Sequence, residues 1–186
     1  MNSRFIAPLV LGISVICASA EWNQLQGNAQ RSGNAPDAVL PEKLGLVGFI
    51  PATDAILASP VVSEGRIYFV DGSGVVFCVD AENHKVVWRK ATKGGKGNCN
   101  NIAAPAVAGK FLHVGTTAGV YYVFDKSNGK VVNEIDCKEP IFSAPAVGKG
   151  RVYFATLGAQ VYALKPNGQQ VWKWDFVTEV VGFTGN

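Results

Sequence analysis

Histidine and methionine are scarce in this 186-residue chain: His84, His113 and a single methionine. The two histidines stand far apart, and no Cys-x-x-Cys or Cys-x-x-Cys-His run accompanies them, so neither a zinc site nor a haem is expected. No nucleophile motif lies near either one, so no Ser/His/Asp triad can be assembled and no catalytic residue is assigned. Charge is also sparse, at 17% of residues, with 17 basic against 14 acidic side chains and no dense basic run, which argues against nucleic acid as a partner. After the first twenty positions no apolar stretch is long enough to cross a membrane. No gap between apolar runs holds a helical period, which excludes a parallel α/β fold. Glycine, by contrast, is abundant at 21, and 48% of residues are hydrophobic, so a compact, turn-rich domain is expected instead of a disordered chain.

The N-terminus reads as a targeting segment. Arg4 precedes the apolar run Phe5 to Cys17, and Ala18-Ser19-Ala20 presents small residues where a signal peptidase reads, so residues 1–20 are expected to be removed before Glu21. Cys17 follows Ile16, where lipidation would need a small residue, and a lipid anchor is therefore not expected. The mature protein should be exported, to the periplasm or outside the cell, without a transmembrane segment.

The body of the chain repeats itself. Ser59-Pro60-Val61-Val62 recurs as Ala104-Pro105-Ala106-Val107 and Ala144-Pro145-Ala146-Val147, the prolines lying 45 and then 40 positions apart. After each comes a glycine turn and an apolar run: Arg66 to Val70, Lys110 to Val114, and Arg151 to Ala155. A second run follows at Val75 to Asp80, Val120 to Asp125 and Gln160 to Lys165, and a third at Lys85 to Trp88, Lys130 to Asn133 and Gln170 to Trp172. Each unit therefore predicts four short strands in an antiparallel meander, rich in Val, Ile, Tyr and Phe. The runs are apolar at nearly every position, which predicts that both faces of each sheet are covered. Four-stranded units recurring near forty residues are the mark of a β-propeller blade. The fold class is thus all-β, an incomplete propeller of about three blades (about 57–92, 102–135 and 142–175) within 56–186. Residues 21–55 form a lead-in expected to supply a strand or strap to the last blade.

These repeats resemble the pyrroloquinoline-quinone (PQQ)-type propeller repeats. The family's docking pattern, about Ala-x-Asp-x-x-Thr-Gly-Lys-x-x-Trp, is similar to Cys78 through Asp80 and Lys85 to Trp88, and again to Val123 through Asp125, Gly129, Lys130 and Asn133. A third, shorter copy ends at Trp172. His84 replaces the glycine, Asn133 a tryptophan and Lys165 an aspartate. The opening Glu21 to Asn28 is likewise similar to the start of such proteins. Physically, Asp80, Lys85, Trp88, Asp125, Gly129, Lys130 and Trp172 read as structural docking residues: a carboxylate accepting turn amides, a glycine at positive φ, an indole covering the neighbouring blade.

The resemblance implies two functions. One is a non-catalytic exported scaffold or protein-interaction module, without cofactor or metal, and this reading is favoured. The alternative is the N-terminal part of a quinoprotein alcohol or sugar dehydrogenase using PQQ with calcium. Such enzymes commonly carry a disulfide between adjacent cysteines, and no Cys-Cys pair occurs here. Closed propellers need at least four blades, so the remaining blades are expected from further chain or by association. Of the three cysteines after residue 20, Cys99 and Cys137 lie in the linkers flanking the second repeat and form the candidate disulfide, while Cys78 falls within a strand. The loop Lys93 to Asn101 has the glycine and lysine content of an anion cradle but lacks a Gly-Lys-Ser/Thr ending, and reads as a linker.

Overall fold

The computed structural model describes residues 21–36, 42–43, 45–93 and 101–182; the expected signal segment and Cys99 lie outside them. Twelve strands form three separate four-stranded sheets. The first blade holds β1 (Val61–Ser63), β2 (Arg66–Val70), β3 (Val75–Asp80) and β4 (Val86–Ala91). In the second are β5 (Ala106–Ala108), β6 (Phe111–Gly115), β7 (Val120–Asp125) and β8 (Val131–Asp136). β9 (Ala146–Gly148), β10 (Arg151–Ala155), β11 (Gln160–Leu164) and β12 (Gln170–Asp175) make the third. Within each sheet the strands follow chain order and pair antiparallel, as the repeat predicted. Together they form an arc of propeller blades.

Local chemistry explains the hairpins. Glu64-Gly65 and Lys149-Gly150 join the first two strands of their blades with φ of 49° and 70°, and 48° and 70°. Two successive left-handed residues make the turn whose twist suits a two-residue hairpin. The third and fourth strands slip register at the same place in every blade, between Cys78/Val79, Val123/Phe124 and Ala163/Leu164. A bulge repeated three times turns each outer strand by the same local bend.

Burial follows strand order. β3 and β7 are buried along their middles, whereas the outer strands β4 and β8 are mostly exposed, with Trp88 the buried exception on β4. The expectation that both faces are covered therefore holds for the central strands and fails for the outer ones, which lie at the rim where neighbouring blades diverge. The core lies between the sheets. Val61, Tyr68, Val76, Cys78 and Trp88 of the first blade pack on Leu112, Val114, Tyr122 and Phe124 of the second. A second cluster joins Tyr121, Val123, Cys137 and Ile141 to Val152, Phe154, Tyr162 and Leu164, with the Tyr121 and Phe154 rings stacked at 3.8 Å between centroids. Beyond β12 follows a π-helical turn, Val177–Val181, whose Val180 and Val181 are exposed.

Candidate functional site: blade seams and the strap across the inner strands

The docking residues act first within their own turns. Asp80 accepts the amides of Glu82 and Asn83 at 3.0 and 3.1 Å and pairs with the Arg66 guanidinium. Asp125 accepts the Ser127 amide at 2.9 Å and its hydroxyl at 2.6 Å. These donors hold both carboxyls below the usual aspartate range, the Asn83 amide leading at Asp80 and the Ser127 hydroxyl at Asp125. Lys85 and Lys130 contribute through the backbone: their amides donate to Asn83 Oδ1 and Asn128 Oδ1 at 2.9 and 2.8 Å, while their side chains stay exposed.

The seam between the first two blades closes over one indole. Trp88, 8% exposed, donates its Nε1 hydrogen to the carbonyl of Lys126 at 2.9 Å and lies flat against Gly129. Gly129 has φ 70°, which favours glycine, and a Cβ there would stand 2.6 Å from the Trp88 ring, so the space requires it. Tyr68 adds a longer bond to the same Lys126 carbonyl at 3.4 Å. Lys126 itself is buried and pairs with the exposed Glu64 at 2.9 Å.

At the next seam the same positions carry different chemistry. Asn133, in the place of Trp88, donates Nδ2–H to the Gly168 carbonyl at 2.8 Å. His113, in the place of Tyr68, is fully buried and bonds through Nε2 to the Pro166 carbonyl at 2.9 Å and through Nδ1 to the Tyr121 hydroxyl at 3.2 Å. A carbonyl only accepts, so Nε2 carries the hydrogen and Nδ1 accepts from Tyr121. Burial pushes the His113 pKa down to about 4 against the opposing pull of the Pro166 carbonyl, and the ring is neutral at pH 7. His113 is thus a tie between blades and not a ligand, and Asn133 docks despite replacing the tryptophan. Trp172, by contrast, is 44% exposed, beside Tyr153 at 6.1 Å between ring centroids and with no following blade among the described residues. A cavity of about 400 Å³ opens there, lined by Trp172, Lys173, Trp174 and Glu179.

The lead-in reaches every inner strand. Trp22 pairs with Val62 through two backbone bonds of 2.9 Å, and Asn23 accepts the amide of Val107 at 2.7 Å. Gln24 then accepts the amide of Val147 at 2.9 Å and donates to its carbonyl at 3.1 Å. Val62, Val107 and Val147 hold the same position in β1, β5 and β9, so three consecutive residues satisfy one site in each blade. Arg31 anchors the far end on the Ala144 carbonyl at 2.9 Å. The lead-in, expected to supply a strand or strap to the last blade, is over these residues a strap across all three described blades. Backbone amides bond whatever polar group the path brings near, and the chain path was not readable from side chains alone.

The two cysteines among the described residues are buried. Cys78 and Cys137 carry free thiols, and burial raises both pKa values, that of Cys137 to about 11. The candidate Cys99–Cys137 pairing involves a residue outside the described ones. The buried carboxylate of Asp71 was missed by sequence reasoning. Each of its oxygens accepts three donors, from Thr53 and Asp54 on one side and from Ser73 and Val75 on the other. Burial alone would lift its pKa, but these hydrogen bonds outweigh it and hold the group ionised. Among the described residues no three His, Cys, Asp or Glu side chains stand together as a metal site, and no buried side-chain nitrogen or oxygen lacks a partner. One amide of each inner strand is taken by the strap, and the buried Asp71 carboxylate is saturated by its own donors.

The family profile described as outer membrane protein assembly factor BamB, built on PQQ-type repeats, matches residues 22–98 and 96–183. The chain belongs to this family. A curated BamB from Burkholderia pseudomallei (strain K96243) is 31% identical over 117 residues, which is 62% of this chain and 29% of that protein. The crystal structure of BamB from Moraxella catarrhalis aligns with TM-score 0.57 at 19% identity, over 67% of this chain and 38% of that one. Quinohemoprotein alcohol dehydrogenase from Comamonas testosteroni aligns with TM-score 0.65 at 20% identity, over 83% of this chain and 27% of that one. At such identities the solved structures establish the propeller fold alone, and the chain spans well under half the length of each of these relatives. No helix among the described residues is long and apolar enough to cross a membrane.

Proposed function

We propose that this BamB-family chain is part of an exported, non-catalytic propeller that works as a scaffold or protein-interaction module in the cell envelope. The observation that carries the reading is the match to the BamB profile across both halves of the chain, together with 31% identity to a protein named as an outer membrane assembly factor. The docking residues support it, since Asp80, Trp88, Asp125, Gly129 and Asn133 spend their hydrogen bonds and surfaces on turns and seams. Contact with a partner would fall on loops at one end of the arc, as is usual where a rigid scaffold presents variable connections. A second reading, part of a PQQ- and calcium-dependent alcohol or sugar dehydrogenase, rests on the PQQ-type repeats together with a propeller fold shared with a quinohemoprotein alcohol dehydrogenase. One experiment separates them. The native exported protein is mixed with PQQ and calcium, and cross-linked partners are recovered from the envelope fraction in parallel. The scaffold reading expects a reproducible outer-membrane assembly partner with no bound chromophore; a bound quinone with dye-linked alcohol oxidation would overturn it.

A further inference from the structure

The turns joining β1 to β2 and β3 to β4, with their counterparts in the other two blades, lie at one end of the arc, since each blade is an antiparallel meander. They touch one another there. The Lys126 amide donates to the Lys110 carbonyl at 3.0 Å within the second blade, and His113 reaches Pro166 across the next seam. Charge is unevenly spread along this end. The first blade carries Glu64, Arg66 and Asp80, with the guanidinium paired to Asp80. At the same three positions the third blade carries Lys149, Arg151 and Lys165. Both carboxylates have become lysines and the arginine is kept.

That exchange works against the sheet. β2 and β3 set Arg66 opposite Asp80, and β10 and β11 pair Val152 with Leu164, so Arg151 and Lys165 stand at the corresponding next position as like charges. Like charges opposite one another on a sheet destabilise it. Their hydrogen-bond partners are neutral: the Gly150 carbonyl for Arg151 at 3.2 Å and the Gln169 side chain for Lys165 at 3.0 Å. The second blade extends the patch with the exposed Lys110 and Lys130, while its Asp125 carboxylate is occupied by Ser127. None of these five cations takes part in an ion pair among the described residues, and Lys126, beside them, is buried against Glu64. At the opposite end, the linker between β8 and β9 has one cation, Lys138, held by Asp136 at 2.6 Å and followed by Glu139.

We propose that the turn end of the second and third blades docks on an anionic lipid bilayer. Its cations come from four turns of two blades instead of converging on one point, which suits a plane of negative headgroups better than a single small anion. The chain also enters the arc at this end, where the Glu21 carboxylate accepts the Glu64 amide at 2.8 Å. The apolar targeting segment expected before Glu21 therefore leads from the same end. The blades assemble the patch from separate turns, which is why the sequence shows no dense basic run. The inference holds whether the propeller is a scaffold or part of a dehydrogenase, since no hydrogen bond of the seams or the strap uses these side chains.

Flotation of the native exported protein with vesicles of phosphatidylglycerol and phosphatidylcholine in equal parts is the test, with pure phosphatidylcholine vesicles and duplex DNA in parallel. Binding is expected to the anionic vesicles and not to the neutral ones, and is lost at about 1 M salt, where charges are screened beyond about 3 Å. The double variant Lys149→Glu with Lys165→Asp gives the third blade the residues of the first, and is expected to weaken vesicle binding by more than about 100-fold. Lysine acetylation read by mass spectrometry needs no variant and decides if that one does not fold. Anionic vesicles are expected to slow it at Lys110, Lys149 and Lys165 by at least about tenfold and to leave Lys138 unchanged. The proposal is overturned by no binding to anionic vesicles, by equal binding to neutral ones, by a folded double variant that binds like the native protein, by uniform acetylation, or by tighter retention on DNA than on the vesicles.

Discussion

The two seams of this arc solve one packing problem with different materials. Between the first and second blades a large indole lies on a glycine, and apolar area dominates: Trp88, Tyr68 and Phe124 form a tilted aromatic group with centroids 6.2 and 6.3 Å apart. Between the second and third blades a short amide and an imidazole take the places of Trp88 and Tyr68 and reach backbone carbonyls at 2.8 and 2.9 Å. The stacked Tyr121 and Phe154 rings restore the area that Asn133 gives up. What the geometry fixes is the set of carbonyls and left-handed turns offered by the following blade; the side chain that meets them can vary if its neighbours compensate.

The comparison predicts unequal sensitivities. Trp88→Ala is expected to cost about 3 to 5 kcal/mol, measured by urea unfolding, because it empties a buried site and leaves the Lys126 carbonyl with only the long Tyr68 bond. A cost near zero would mean that the first seam does not depend on its indole. The second seam should instead be sensitive to acid. His113 has an ordinary pKa of 6.5 and a folded one of about 4, so its neutral form is favoured by folding. Its contribution is complete above about pH 6.5 and is lost as pH falls toward 4, amounting to about 3 kcal/mol. Replacing it by Tyr, the residue at the same place in the first blade, should flatten that part of the stability profile, and an unchanged profile would show that the histidine does not titrate there. The smallest effect belongs to Trp172→Ala in the isolated three blades, under about 1 kcal/mol because the ring is half-exposed. In the natural protein a much larger cost would show that Trp172 is covered.

Much of the fold was legible because its signals are local. The three proline anchors, the glycine turns and the Val/Tyr/Phe runs each specify a strand or its end without reference to distant chain, and the twelve strands fall on them. The fourth strands run on to Ala91, Asp136 and Asp175, past the tryptophan or asparagine at which the apolar pattern ends. Polar outer strands are held by pairing on one edge, which composition does not record. At the seams the pattern identified Trp88 and Gly129 but read Asn133 only as a departure, because the carbonyl it finds belongs to another blade. His113 was legible as a residue without catalytic company, and its role came only with Pro166. The strap combines backbone atoms of Trp22 and Asn23 with the side chains of Gln24 and Arg31, and the opening Glu21 to Asn28 marked the segment without telling which strands it reaches.

The strap also gauges the arc. Two steps of extended chain reach at most about 7 Å, yet Trp22, Asn23 and Gln24 touch equivalent atoms on three different sheets. The described inner strands thus lie within the reach of a tripeptide extended by one glutamine side chain, while the outer strands are free to diverge. Each blade is held to its neighbours as a wedge whose narrow edge is measured by the chain itself, and an inserted or deleted residue between Trp22 and Gln24 would put the ruler out of step with the curve.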